Sequence, residues 1–403
     1  MKKIILFIFF FFLSILSCSA LELDTFSSHI FFYHIEEQKV LYERGSSDEI
    51  PIASMTKIMT AIVTLDSVSN LDDKVVIEKR DFNGLYEANA SLAGFEVGEE
   101  VTYRDLLAGL LLPSGAEAAS TIARVISQGE EEFVQKMNDK TIELGMQHTH
   151  FVNTTGLDIE GQYSSLEDVY IMFSYALQND DFMNLISMRY YTTSNGEHTF
   201  RSTIQKNIDQ FDIEGMDYLI GGKTGSTGDA GLCFASYGKI GEDSFILITA
   251  GAPYTRYQPS SFLDAKKIYE YYRDHFAYRV VVEKGRELAK IKTLYLKEDY
   301  YTYDSLKDYT YYLEDTFDIE QLDYSYHGVE QITSKMKVGE KLGEVEVSYQ
   351  GELLVTIPIV LTQKIPFDLW KYLGAHKVIV FLIISSIIVI ILFLIFMIRK
   401  RKR

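Results

Sequence analysis

The chain has 403 residues, 47% of them hydrophobic and 24% charged, with two cysteines and a formal net charge of −18. That composition is globular and excludes a collagen, a disordered chain and a disulfide-stapled miniprotein. Seven of the 39 basic residues lie at the ends, at Lys2, Lys3 and 399–403, so the body between residues 21 and 377 sets 32 basic against 57 acidic residues. So acidic a body is a poor partner for nucleic acid, whose phosphates call for Lys and Arg.

Residues 1–20 (MKKIILFIFFFFLSILSCSA) have a basic start, an apolar run and a small-residue ending, the pattern of a secretory signal peptide cleaved after Ala20. A rival reading makes Cys18 a lipidated residue, although Leu16 fits that pattern poorly. Removal of the signal leaves Cys233 alone, and one thiol cannot form an internal disulfide. Residues 29–43 alternate around a polar centre and predict a hairpin. In GSSDEIPIASMTKIMTAIVTL, a turn gives way to Met55, Ile58, Met59, Ile62 and Leu65 at helical spacing, so a helix should begin at about Ser54. Residues 101–112 and 116–128 read as two helices broken by Pro113, Ser114 and Gly115.

Between Tyr218 and Ala252, β-rich runs separated by glycine turns predict antiparallel strands, and residues 258–276 return to helical periodicity. Helices flanking such strands make an α+β domain, assigned to residues 21–277. From 278 to 365 short strand-like runs indicate a small all-β domain. Its tyrosine-dense stretch from Glu298 to Phe317 is explained by strand packing before glycan stacking. Residues 366–377 read as a linker. Val378–Ile398, twenty-one residues without a charge, is long enough to cross ~30 Å of hydrocarbon as a transmembrane helix. The basic tail 399–403 then places the C-terminus in the cytoplasm and the body outside, at the cell membrane.

Three stretches carry chemistry. Ser54-Met55-Thr56-Lys57 sets a hydroxyl one helical turn before an amine, so a deprotonated lysine can activate the alcohol. The spacing alone is weak, since it recurs at Ser236–Lys239 and Ser334–Lys337. Only the first copy lies where a loop meets an amphipathic helix, whose N-terminus offers N–H groups to an oxyanion. Ser114 lies in a break between helices, and Lys223-Thr224-Gly225 follows Gly221 and Gly222. A cation and a hydroxyl on an edge strand suit a substrate ending in a carboxylate. Taken singly, Ser114 reads as a cap and Lys223 as a solvated strand charge; their order argues otherwise. His148 and His150 read as a surface turn, because a metal needs three or four converging ligands. Cys233 reads as a small buried hydrophobe. No Gly-x-Ser-x-Gly elbow occurs.

Ser-x-x-Lys, a loop serine and Lys-Thr-Gly, in that order, resemble the penicillin-recognising serine enzymes. IPIASMTKIMTA, GEEVTYRDLLAGLLLPSGAEAA, FVNTTGLDIEGQYSS and GGKTGSTGDAGLC narrow the resemblance to the D-alanyl-D-alanine carboxypeptidases, the low-molecular-mass penicillin-binding proteins. It runs from about residue 29 to 365, with MKVGEKLGEVEVSYQGELLVTIPIVL similar to that family's C-terminal β-domain. The resemblance implies a β-lactamase/transpeptidase-like fold, a peptidoglycan stem peptide ending in D-Ala-D-Ala as substrate, acylation by β-lactam antibiotics, and neither metal nor cofactor. It implies Ser54 as nucleophile, Lys57 as general base with an amine pKa lowered by burial and by Lys223, and Ser114 as proton relay. Lys223 and Thr224 of the Lys-Thr-Gly block, which Gly225 completes, would bind the terminal carboxylate. The N–H groups of Ser54 and Ser226 would form the oxyanion hole.

Two positions depart from the pattern: Ala116 stands where the second motif has Asn, and Gln162 where a His is usual. Ala116 motivates an alternative reading as a weakly active or inactive scaffold. A β-lactamase is less favoured, because no Glu-x-x-Leu-Asn block lies between Ser114 and Lys223.

Overall fold

A computed structural model describes residues 23–255 and 258–401; the signal-peptide segment, Cys18 and the last two residues of the basic tail lie outside them. The described chain divides into two compact units, one ending at Asp274 and the other starting at His275.

In the first unit a five-stranded antiparallel sheet runs in the order Lys39–Arg44, His29–His34, Asp243–Ala252, Gly231–Ile240, Leu219–Thr227. The expected hairpin is its first pair, with Ile30 opposite Arg44. The Lys-Thr-Gly block lies on the edge strand, where Lys223 pairs with Ala235 and Gly225 with Cys233. An edge strand keeps one side of its backbone free for a ligand. The apolar positions of the Lys57–Ser67 helix, Ile58, Met59 and Ile62, are buried with Leu106, Leu107 and Leu110 of the Tyr103–Leu111 helix in one core. That second helix starts with a capping box: Thr102 Oγ1 accepts from Asp105 N at 3.1 Å while Asp105 Oδ2 accepts from Thr102 N at 2.9 Å. Such a box satisfies N–H groups that the first helical turn leaves unpaired. The Ala116–Ser127 helix is pinned from outside by Arg124, which grips the buried Asp81 through Nε at 2.7 Å and Nη2 at 2.8 Å. A forked guanidinium–carboxylate pair fixes orientation as well as distance.

The helix expected from about Ser54 begins differently. Ala53–Thr56 is a single 3-10 turn, and the α-helix starts at Lys57. Helices Ser260–His275 and Thr203–Phe211 complete the α+β arrangement around the sheet.

The second unit is built from short strands. Leu322–Gly328, Lys341–Tyr349 and Glu352–Val360 form one antiparallel sheet, and Glu287–Leu294 pairs with Tyr300–Asp304 and Gln331–Thr333. Val281, Ile291, Val345, Val347 and Ile357 make its core. Tyr301 and Tyr303 are buried there, Tyr301 donating its hydroxyl to Val360 O at 2.9 Å, so these tyrosines serve packing. Within residues 366–377, Leu369–Ala375 is a helix. Lys377–Arg401 is a 25-residue helix long and apolar enough to cross a membrane, which fits a single-pass anchor.

Candidate active site

Ser54 stands on the 3-10 turn with its side chain partly exposed to a cleft of about 1070 Å³. One turn on, Lys57 is buried and its Nζ donates to Ser54 Oγ at 2.9 Å and to Thr155 O at 2.7 Å. The carbonyl comes from the Asn153–Leu157 loop, which curls around the Asn153 side chain. Asn153 Oδ1 accepts from Gly156 N at 2.7 Å, and Gln162 Oε1 accepts from Val152 N and Asn153 N, each at 3.0 Å. Gln162 thus braces the loop that orients the amine. Gly156 has φ +80°, and a Cβ there would lie 2.0 Å from Ala53 O; only glycine permits both the backbone angle and this approach.

Ser114 has φ +69° in the break between two helices. Its hydroxyl accepts a 2.8 Å hydrogen bond from Lys223 Nζ, which also donates to Thr224 O at 2.7 Å. The neighbouring helix takes no side-chain cap, so the cap reading of Ser114 is excluded. Lys223 is fully buried, which equally excludes a solvated strand charge. Thr224 and Ser226 do reach the surface, half-buried and exposed respectively. Thr224 Oγ1 donates to Thr203 Oγ1 at 2.8 Å. Gly225 packs against the 3-10 turn, its Cβ position 3.1 Å from Ser54 N. All seven sequence-derived residues therefore converge. A second cleft of about 580 Å³, lined by Ser114, Thr203, Lys206 and Thr224, meets the first at Ser54, Ser91, Ser226 and Tyr254.

Burial lowers the Lys57 pKa from 10.5 to about 7, partly opposed by the Glu117 carboxylate. Burial also holds Lys223 well below its ordinary value, with the Lys57 charge acting in the same direction. The expected lowering of Lys57 by Lys223 is not seen: Lys57 owes its shift to burial, and it is the Lys57 charge that acts on Lys223. Two amines this close and this dry resist being charged together.

Three residues escaped the motif reading. Glu117, buried in the first turn of its helix, accepts from Gly94 N at 2.8 Å through Oε1 and, among the described residues, leaves Oε2 without a hydrogen bond. Desolvation raises its pKa, against the pull of the Gly94 and neighbouring backbone N–H groups. Thr203 and Lys206 come from a helix whose Thr203 N donates to Leu112 O at 2.9 Å, tying it to the Ser114 turn. Glu117 alone carried a signal, as an acid on an otherwise apolar helix face.

Ala116 lines the first cleft and donates its N–H to Ser91 O at 2.8 Å, so the loop is held by backbone where the usual amide is missing. Cys233 is buried and its thiol is pushed up to about 12 by burial, consistent with a packing role. His148 is exposed beside Glu49, at 3.2 Å. Among the described residues one group of ligand-type side chains, His34, Glu36 and Asp243, lies together; it shares no residue with either cleft.

The D-alanyl-D-alanine carboxypeptidase family profile matches residues 19–254. The chain belongs to that family. The carboxypeptidase is 30% identical over 329 residues to D-alanyl-D-alanine carboxypeptidase DacF of Bacillus subtilis, covering 80% of this chain and 81% of the relative. It is 34% identical over 204 residues to the D-alanyl-D-alanine carboxypeptidase of a Streptomyces species, covering 48% and 69%. The solved Streptomyces K15 DD-transpeptidase matches with TM-score 0.55 at 29% identity, over 61% of this chain and 96% of that one. Penicillin-binding protein 5 of Haemophilus influenzae matches with TM-score 0.61 at 19% identity, over 86% and 99%, and shows the shared fold. The family is one of serine-type peptidases with a penicillin-binding fold, and the expectation drawn from the motifs holds.

Proposed function

We propose that this carboxypeptidase removes the terminal D-Ala from peptidoglycan stem pentapeptides through an acyl-enzyme on Ser54. The observation that carries the reading is the 2.9 Å contact between Lys57 Nζ and Ser54 Oγ at the floor of a cleft. Uncharged Lys57 takes the Ser54 proton as Oγ attacks the penultimate D-Ala carbonyl. The N–H groups of Ser54 and Ser226 receive the oxyanion, a contribution of roughly 3–4 kcal/mol per donor in comparable sites. As the C–N bond breaks, the departing D-Ala amine takes a proton passed through Ser114. Water, deprotonated by Lys57, then hydrolyses the ester. The terminal carboxylate rests on Thr224 and Ser226, with Lys223 beneath them; an arriving anion favours the protonated form of an amine that burial otherwise keeps neutral. β-Lactams acylate the same serine.

Residues 21–277 form the catalytic domain and 278–365 a β-domain, with the C-terminal helix crossing the cell membrane so that the body is extracytoplasmic and the basic end cytoplasmic. Ala116 keeps a low-turnover scaffold as the second reading. Incubating the detergent-solubilised full chain with diacetyl-Lys-D-Ala-D-Ala should release free D-Ala, and Ser54→Ala should abolish it. Intact penicillin labelling without any release would favour the scaffold.

A further inference from the structure

Leu369–Ala375 has two unlike faces. Lys371 Nζ donates to Leu296 O and Lys297 O, each at 2.9 Å, and to Asp299 Oδ1 at 2.7 Å. The Tyr372 ring meets Tyr295 edge-on at 5.3 Å and stacks on His376 at 4.3 Å. Asp368 caps the helix at Trp370 N and Lys371 N, and its own N–H donates to Tyr295 O at 2.8 Å. Seven residues are too few for an independent helix in water; this one is held by the β-unit. Among the described residues its other face is uncovered, with Trp370 81% and Leu369 55% exposed, beside Phe367 at 44%. His376, at φ −112° and ψ 40°, is the one residue between this helix and Lys377–Arg401.

Large apolar side chains left open so close to a hydrophobic span have an occupant supplied by continuity. Trp370 precedes the first residue of the apolar run, Val378, by eight positions, which at ~1.5 Å per helical residue keeps it within ~12 Å of the hydrocarbon edge. Tryptophan and tyrosine gather in that boundary layer, and amphipathic helices seat there ~5–10 Å deep. We propose that Phe367, Leu369 and Trp370 lie in the headgroup–acyl boundary of the outer leaflet, and that Lys371 clamps the β-unit to this buried helix. The β-unit is then held against the bilayer surface, where a bare linker would let it swing freely. This rests on the reading of Lys377–Arg401 as a membrane span.

Trp370 is the sole tryptophan of the chain, so its fluorescence reports this position alone. The full chain, reconstituted in phosphatidylethanolamine–phosphatidylglycerol vesicles, should show Trp370 quenched at least twofold more by lipid brominated high on the acyl chain than by lipid brominated near its end. Protein that floats with the vesicles yet is quenched by neither lipid overturns the interfacial seat while leaving the span intact, and shielding from iodide in that case would point to a second protein copy as the occupant. Failure to float would remove the span and this inference with it. Lys371→Ala should keep the bromolipid quenching but lower the fluorescence anisotropy of Trp370; unchanged anisotropy would overturn the clamp.

Discussion

Lys57 can be a base because it is dry. Moving its amine from the ordinary 10.5 to about 7 corresponds to ~5 kcal/mol against the charged form at 1.36 kcal/mol per pK unit. The protonated amine cannot take the Ser54 proton, so acylation should rise with pH through about 7 and level off above it. Glu117 works against burial by favouring the cation. Glu117→Gln keeps the acceptor for Gly94 N but removes the charge, so the acid limb of kcat/KM should move to lower pH, read from the pH profile of penicillin acylation. An unmoved limb with lowered activity would make Glu117 structural only. Lys223 lies under the surface rather than on it, yet a carboxylate above it would still favour its protonated form. Lys223→Ala should raise KM for peptides ending in a free carboxylate more than for amidated ones; equal losses on both would remove Lys223 from substrate recognition.

At the scale of elements, Ser54 owes its position to three backbone segments that glycine lets touch. The Ala53–Thr56 turn packs between the Gly156 loop and Gly225 of the edge strand, and Ala53 takes φ +46° there. Gly156→Ala would drive a methyl group into Ala53 O, shifting the turn that carries Ser54. A displacement of ~1 Å at a reacting atom can cost about 10²-fold. Acylation should therefore fall by about that factor, accompanied by a lowered Tm; wild-type acylation in the variant would show that the turn is positioned by something else. The Ser54–Lys57 pairing was legible in the sequence because one helical turn sets it. The 3-10 start was not, since the Ala53 backbone angle is imposed by residues about 100 and 170 positions away. Glu117 showed only as an acid on an apolar helix face; its partner, the N–H of Gly94, belongs to a loop with no periodicity to read.

For the molecule as a whole, pattern located what repetition and order can encode. Alternation marks the hairpin, short strand-like runs mark the β-rich second unit, and the motif order marks the family. The Leu369–Ala375 helix falls inside the expected linker because seven residues carry too little periodicity, and its stability comes from Lys371 and Tyr372 seated on the β-unit. Thr203 and Lys206 reached the cleft unannounced because the tie from Thr203 N to Leu112 O is a tertiary one. Ser54, Lys57, Ser114 and the Lys223 strand are proposed to form one acylation centre. Brief exposure of the intact protein to penicillin, followed by digestion and mass spectrometry, tests it most directly. A single adduct is expected on the peptide containing Ser54, absent from Ser54→Ala; an adduct on any other residue, or none on folded protein, would rule this centre out.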